Sequence, residues 1–391
     1  MYIFLFAKQI VDMFYDYIWL DVAMVAVAVV LIFYQLRMLR PDSGDRISVI
    51  KGIRVPDICL LGIFLIYAAH FIWAARVGSY ISLEVAGIFG FAKVASAFLL
   101  YLIGRLASKR VTESSGALVG SAYIVVYVNL VIRIIRYGVN GSLDTFLHTT
   151  NTEGLIYYFD TDLAYAMLLA LVFIAMYAKN NILKFVTIFL TCPFMILHSD
   201  ADIQKYLMIA VYVILFLFMS ERAVKKRKFS DFILPVFILG LLVVITALIL
   251  PVFTGQSYSR ITNLLSGVID TYNFSSRYTA WIELWQSTAG MNLMSILFGI
   301  NNSYGVGVGN QYLSIILSLG VVGLLLALGF IISVAVDAVK IEDRKTYYVT
   351  VMLAIIFLGT CIVVNGMNYT QLSWLTMLYA GMAACGKAKK S

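Results

Sequence analysis

Long apolar segments, separated by shorter polar ones, run along almost the whole chain. Most of them have about 17–25 residues, which as an α-helix is enough to span the ~30 Å hydrocarbon layer of a bilayer. The pattern predicts eleven membrane-spanning helices, over residues 18–36, 58–75, 85–104, 116–136, 163–178, 184–198, 206–220, 232–252, 310–336, 346–366 and 370–386.

The first seventeen residues follow a different pattern, because Lys8, Asp12 and Asp16 interrupt their apolar positions. We expect residues 1–17 either to lie on the membrane surface as an amphipathic helix or to form a broken extra helix.

The composition agrees with a membrane protein. The chain has 391 residues, of which 62% are hydrophobic and 13% charged, whereas soluble domains carry about 25% charged residues. We therefore predict an all-α polytopic integral membrane protein, with residues 1–391 forming a single membrane domain. The spacing of the four cysteines fits neither a disulfide framework nor a zinc site.

Most of the 29 Lys and Arg residues fall in alternate loops. The positive-inside rule assigns these loops to the cytoplasm. With eleven spans, the C-terminus is then cytoplasmic and the N-terminus outside. The predicted outer side carries a large loop over residues 253–309, before the last three spans, and a second loop over residues 137–162. The net charge of +8 reflects this bias, and no soluble basic face for nucleic acid is evident.

A few arginines lie on the predicted outer side, against this trend. The Arg side chain matches phosphate oxygens in a bidentate way, so such residues are candidates for binding an anion. Arg133 and Arg136 lie three positions apart and share a helical face. They are expected either to clamp a lipid-linked phosphate or to anchor the helix end by reaching towards the interface. Arg260 and Arg277 belong to the large loop.

The large loop also carries aromatic and acidic side chains. If residues 276–287 form a helix, Arg277 and Trp281 share a face, and Tyr278 extends an aromatic side on which a sugar can stack. An interfacial helix also favours Trp, so the aromatic residues fit both interpretations. Candidates for a general base are Glu283 and Asp270 of this loop, together with Asp200 of a short outer turn. Asp200 and Asp202 lack a fuller ligand set, so no metal site is predicted.

Two ionisable residues, His70 and Lys93, fall inside predicted spans. Charged groups at that depth are costly and tend to face a cavity or a partner. The sequence identifies no partner for either residue, and packing and cavity-lining roles stay open.

About fifty residues, from Ser275 to about Leu325, carry a family resemblance. They contain an Arg before a Trp (Arg277 and Trp281), then Leu297-Phe298-Gly299 and a Gly-rich bend. The segment Asn310-Gln311-Tyr312-Leu313 then begins a helix that contains Gly320 to Leu324. The chain resembles the O-antigen polymerase and ligase superfamily, the Wzy-like and WaaL-like proteins. The resemblance implies a GT-C-like glycosyltransferase architecture in the bacterial inner membrane.

The resemblance implies an activity as well. A Wzy-like polymerase joins lipid-linked oligosaccharide repeat units on the outer side of the inner membrane, as a metal-independent inverting glycosyltransferase without a cofactor. The donor glycan is carried by undecaprenyl pyrophosphate, and the polymer is O-antigen, capsule or exopolysaccharide. Arg277 is the expected principal clamp for the pyrophosphate, with Arg260 or the pair Arg133 and Arg136 as a second clamp. A separate chain-length regulator is a further expected partner.

The remaining residues have expected roles, and one departure from the family pattern bears on the activity. Tyr278, Trp281, Asn310 and Tyr312 are expected to contact the substrate. Ligase-like members have His-Asn before the Tyr-Leu helix, whereas this chain has Gly309-Asn310, which favours a polymerase. An O-antigen ligase, a flippase or transporter for lipid-linked oligosaccharide, and a structural protein without catalysis are the alternatives.

Overall fold

The computed structural model describes most of the predicted helical regions. The described residues are 1–14, 18–38, 52–77, 88–140, 160–197, 202–226, 236–240, 279, 281–283, 286, 292–299, 310–364, 366–368 and 370–385. Within these ranges every regular element is a helix, which confirms the all-α class. The predicted sites Arg277, Tyr278, Arg260, Asp270 and Asp200 lie outside the described residues, as does most of the segment 232–252.

The principal helices occur close to the predicted positions. We number them α1 (Tyr2–Val11), α2 (Ile18–Met38), α3 (Val55–Val77), α4 (Ile88–Glu113), α5 (Ser115–Asn140), α6 (Asp160–Tyr177), α7 (Ile182–Val186), α8 (Cys192–Leu197), α9 (Asp202–Lys226), α10 (Leu293–Phe298), α11 (Gln311–Ala338), α12 (Arg344–Thr360) and α13 (Thr370–Cys385). A π-helical turn, Thr187–Thr191, joins α7 to α8, and a 3₁₀ turn, Gly366–Asn368, precedes α13.

Several of these helices suit a bilayer. By length and composition, three described segments are long and apolar enough to cross a membrane, namely Ser115–Ile135, Ile203–Lys225 and Gln311–Ala338. Shorter apolar helical segments, such as Val22–Gln35 and Val55–His70, accompany them. The described part of the chain is therefore all-helical, with three candidate membrane-spanning helices, and the count of eleven spans stays a prediction.

Helix α1 packs one face against the rest of the protein, with Phe4, Leu5, Lys8 and Gln9 buried. Its ten residues cover about 15 Å, half of the hydrocarbon layer. The Lys8 side chain is nearly inaccessible, and Ser121 of α5 donates a hydrogen bond of 2.9 Å to the side-chain oxygen of Gln9. Of the two expectations for this segment, a surface-lying amphipathic helix is therefore wrong, and a short extra helix is what the structure contains.

The position of α1 also changes the expected relation of the two termini. The Met1 amino group lies within electrostatic range of Arg110, and the last turns of α13 pack beside Arg105 through Gly381. Met1 and the end of α13 thus lie at the same end of the helices, whereas the sequence places the termini on opposite sides. The eleven predicted spans did not include the half-length helix α1. Because α1 adds one more helix before α2, Met1 lies at the same end of the helices as the last turns of α13.

Basic loops that were predicted to share one side of the membrane meet at this end, which we call the basic end. Arg105 of α4 pairs with Asp57 of α3 at 2.7 Å, and the Tyr101 hydroxyl donates to the same carboxylate at 2.7 Å. Arg54, just before α3, pairs with Asp337 in the last turn of α11 at 3.5 Å. Ion pairs therefore join α3, α4 and α11, which are far apart in sequence.

The helices α4 and α13 cross at very short distance. A Cβ atom on Gly104 would lie closer than 3.0 Å to the Leu378 carbonyl, and one on Gly381 would lie equally close to the Tyr101 carbonyl. Small residues allow membrane helices to approach until their backbones touch, which increases van der Waals contact. This crossing places Trp374 and Tyr379 in the centre of the core.

Candidate functional site

Two glycines from separate parts of the family-like segment each pack against the backbone just before the other. Gly299 ends α10 with φ 85°, and Gly320 interrupts α11 with φ 68°. A Cβ atom on Gly299 would lie closer than 3.0 Å to the backbone of Ser318, and one on Gly320 equally close to the backbone of Leu297. L-residues rarely adopt these backbone angles. Both positions therefore require glycine for two reasons, the backbone angle and the space.

The interruption at Gly320 divides α11 into two halves. Its φ and ψ of 68° and −169° are not helical, so the ladder of backbone hydrogen bonds is broken inside an apolar helix. Non-helical backbone at membrane depth is tolerated where it is buried in protein or lines a cavity. Here the end of α10 packs against the break. We call this junction of α10 with α11 the glycine contact.

His70 of α3 joins the same junction. Its Nε2 lies 2.7 Å from the carbonyl oxygen of Phe298. A carbonyl can only accept, so the imidazole tautomer with a proton on Nε2 donates this hydrogen bond. His70 thus holds the last turn of α10 from a helix more than two hundred residues earlier. The sequence indicated that His70 is unusual at this depth and did not reveal its partner.

The start of α11 is fixed by polar contacts. The Asn310 side-chain oxygen accepts hydrogen bonds from the backbone N–H groups of Tyr312 and Leu313, at 3.0 and 3.1 Å. This is the N-cap arrangement that Asn favours. The Tyr312 hydroxyl donates to the Leu358 carbonyl at 2.9 Å. Asn310 and Tyr312, both expected to contact substrate, therefore have structural partners as well.

Gln311 is a further polar residue of this region that the sequence did not single out. Its backbone N–H donates to the Cys361 carbonyl at 2.9 Å, and its side-chain oxygen accepts from the backbone of Met367 at 3.1 Å. Gln311 therefore ties the start of α11 to the end of α12 and to the turn before α13. Its position next to Asn310, at the predicted start of a helix, was the feature of the sequence that could have identified it.

A narrow apolar cavity leads away from this region. It has a volume of about 390 Å³ and lies between α3, α11, α12 and α13. Its lining runs from Gln311 and Tyr312 at one end to Ala338 and Tyr347 at the other. At 1.5 Å per residue, this stretch of α11 is roughly 40 Å long. The cavity therefore has the length and the apolar character to hold a hydrocarbon chain.

A second feature is a set of buried polar side chains on several helices. Among the described residues, this set includes Asp12, Arg133, Asp162, Gln204, Thr360, Gln371 and Ser373. We call this set the buried polar residues. Both polar atoms of the Gln204 side chain are buried and have no hydrogen-bond partner among the described residues.

The described members of the predicted site occupy different surroundings. Arg133 is 3% exposed, so its side chain does not reach into the interfacial water as an anchoring arginine would. Arg136 lies on the same helix, α5. Trp281 is half-buried and Glu283 exposed, and residues 281–283 are helical as expected. The start of α11, with Asn310 and Tyr312, lies against the end of α12. That the other site residues lie near them stays a prediction.

Comparison with known proteins adds no relative. The chain matches no model of a protein family, and no curated protein is significantly similar to it. The inference about function therefore depends on the resemblance of the segment around Gly299 and Gly320 and on the geometry described above.

Proposed function

We propose that this protein polymerises lipid-linked oligosaccharide repeat units of an O-antigen, capsular or exopolysaccharide. The observation that supports the proposal most directly is the glycine contact beside a long apolar cavity. Gly299 and Gly320 belong to the two halves of the family-like segment, and each has a positive φ where it packs against the backbone of the other half. A lipid carrier has a hydrocarbon chain and a polar head, and the cavity with its polar end at Gln311 suits both.

The proposed reaction is an inverting glycosyl transfer. A hydroxyl at the non-reducing end of an incoming repeat unit attacks the anomeric carbon of the donor glycan. The bond from that carbon to the undecaprenyl pyrophosphate oxygen breaks, and the hydroxyl proton passes to a general base. Negative charge grows on the leaving pyrophosphate, so a fixed cation nearby lowers the barrier. Removing one such donor typically costs roughly 2.7–4 kcal/mol.

The residues proposed for these roles are those of the resemblance. Arg277 is the principal clamp, and Arg260 or the pair Arg133 and Arg136 is the second. The burial of Arg133 supports a role in a water-poor site, where electrostatic interactions are strong. Glu283, Asp270 and Asp200 are the proposed candidates for the base.

We propose the same membrane context as for the family. Eleven spans, a GT-C-like architecture, the bacterial inner membrane and an outward-facing site belong to this proposal. The lipid tail would lie in the apolar cavity between α3 and α11 to α13, with its pyrophosphate near the start of α11.

A flippase or transporter for lipid-linked oligosaccharide is the second candidate function. The buried polar residues favour it, because they are spread over α1, α5, α6, α9, α12 and α13. Transporters place polar groups on many helices around a central path. The ligase alternative has less support, since Gly309 stands where ligase-like members have His.

A glycan gel separates these functions. A strain deleted for the gene is complemented with the wild type, with Arg277→Ala, or with Gly240→Ala as a control whose added Cβ meets no atom of the described residues within 4 Å. We expect a ladder with the wild type and the control, and single-repeat product with Arg277→Ala. Loss of all attached glycan while long polymer stays on the carrier lipid would identify a ligase. Repeat units that never reach the outer face would identify a transporter.

A further inference from the structure

A cleft opens between α3 and α11 at the basic end. Further into the membrane the two helices touch: a Cβ on Gly62 would lie 2.9 Å from the Leu326 side chain, and one on Gly329 would lie 3.1 Å from the Cys59 sulfur. One turn beyond this contact the helices enclose a cleft of about 880 Å³. It is lined by Ile53, Arg54, Val55, Pro56, Ser333, Val336, Asp337 and Lys340.

Two cations in the cleft share one carboxylate. Lys340 Nζ donates to Asp337 at 2.9 Å, and an Arg54 guanidinium nitrogen lies 3.5 Å from the other oxygen of the same carboxylate. The Asp337 side chain is only 9% exposed, whereas those of Arg54 and Lys340 are 35% and 54% exposed. A guanidinium has five N–H donors and an ammonium three, more than one carboxylate can accept. The three residues together carry one excess positive charge at an accessible site.

Apolar side chains border these cations. Ile53 and Val55 of the α3 side and Val336 and Val339 of the α11 side are each more than half exposed. In a membrane protein such residues next to a helix end face lipid tails. The cleft therefore combines an accessible cationic centre with an apolar wall, which is the arrangement that an amphiphilic anion requires.

We propose that this cleft binds the phosphate headgroup of an anionic phospholipid. The phosphate lies between Arg54 and Lys340, and the acyl chains run along the exposed valines and isoleucine. Asp337 orients both cations and leaves the net charge positive. Basic pockets between membrane helices favour anionic headgroups, and each nearby Lys or Arg strengthens the attraction. This inference concerns the basic end and stands whether or not the proposed polymerase activity is correct.

Native mass spectrometry of the purified full-length protein tests the proposal. The protein is incubated with equal amounts of phosphatidylglycerol and phosphatidylcholine that have the same acyl chains, and the retained lipids are compared. We expect the wild type to retain phosphatidylglycerol preferentially. Arg54→Gln and Lys340→Gln should each lower that preference about fivefold, and the double variant roughly 25-fold, the size expected for one and two surface cations.

Two further variants keep the test decisive. The double variant leaves Asp337 buried without its cations, so a triple variant that also carries Asp337→Asn removes the preference without an orphaned carboxylate. Lys109 is an exposed cation on α4, outside the cleft. Lys109→Gln should therefore keep the preference for phosphatidylglycerol. Equal retention of both lipids by the wild type, an unchanged preference in the folded triple variant, or an equal loss in Lys109→Gln would each overturn the proposal.

Discussion

The glycine contact and the packing of α1 hold helices together in opposite ways. At the glycine contact, Gly299 and Gly320 bring two backbones together, and the nearest neighbours are backbone atoms of Ser318, Leu319, Leu297 and Phe298. At α1, the buried side chains of Lys8 and Asp12 form an ion pair, and Lys8 lies 4.2 Å from the ring centre of Trp374. One contact depends on the absence of side chains and the other on their charge.

This difference indicates how each region responds to change. A backbone contact tolerates no added atom, because neither partner can rotate away. A buried ion pair tolerates small shifts in shape, since both of its members have further partners: Lys8 lies over the Trp374 ring, and Thr370 donates to Asp12 at 3.4 Å. It does not tolerate the loss of one charge, because the other is then left buried and uncompensated.

The largest effect is expected for Gly320→Ala. The new Cβ would collide with the Leu297 backbone and force an unfavourable φ. Backbone strain and overpacking each cost about 1–3 kcal/mol, so we expect a loss near the top of their sum, at about 5 kcal/mol. Thermal unfolding of the protein in detergent measures it. Gly240→Ala, whose added Cβ meets no atom of the described residues within 4 Å, should unfold like the wild type. Equal stability of the Gly320→Ala and Gly240→Ala variants would contradict the importance of the contact.

The next largest effect is expected for the ion pair of α1. Lys8→Met leaves the Asp12 carboxylate buried without its cation, which costs about 3 kcal/mol or more. In the double variant Lys8→Met with Asp12→Leu no charge remains, and we expect it to be more stable than either single variant. The same unfolding measurement on the single and double variants gives the coupling free energy between Lys8 and Asp12. A double variant that loses the sum of both single effects would show that the two charges act independently.

A smaller effect is expected for His70→Ala. It leaves the Phe298 carbonyl without its imidazole donor, and because this site is exposed, we expect the loss of one net hydrogen bond, up to about 1.5 kcal/mol. If His70 positions α10 for the proposed reaction, the glycan ladder should shorten as well. His70→Gln keeps a side-chain N–H donor and should recover part of both losses. Equal behaviour of the Ala and Gln variants would show that the hydrogen bond does not matter.

The smallest effect is expected for Asn310→Ala, which removes the N-cap of α11. Such losses are about 1 kcal/mol. Asn310→Asp keeps the oxygen that accepts from Tyr312 and Leu313, so its unfolding temperature should stay near that of the wild type. If Asn310 also binds glycan through its amide N–H group, the Asp variant should lose the ladder while it stays folded. A full ladder in the Asp variant would show that Asn310 acts only as the N-cap of α11.

The predicted and observed helices agree well where periodicity and length carry the signal. The apolar segment over residues 310–336 corresponds to α11, and Asn310 stands at its first turn as a capping residue should. Local propensity does not show where the helix breaks, because Gly320 is one of several glycines in that segment. The break follows from the backbone of α10 pressing against it.

The first seventeen residues show where counting spans fails. Lys8 and Asp12 look unsuited to a membrane helix in isolation, yet four positions apart they face each other and neutralise their charges. Whether such a pair is buried depends on what packs over it, here Trp374 from the far end of the chain. The sequence therefore does not decide between a surface helix and a buried one.

The sequence by itself determined the helical membrane class, the approximate bounds of the helices and the residues of unusual chemistry, because hydrophobic periodicity and charge are local properties. Only the tertiary structure decided that His70 meets Phe298 across 228 positions, that Gly299 meets Gly320, and that Lys8 is buried. These contacts depend on how helices pack against one another. In an apolar solvent packing is selected by shape and by paired polar groups rather than by hydrophobicity, so no local pattern records it.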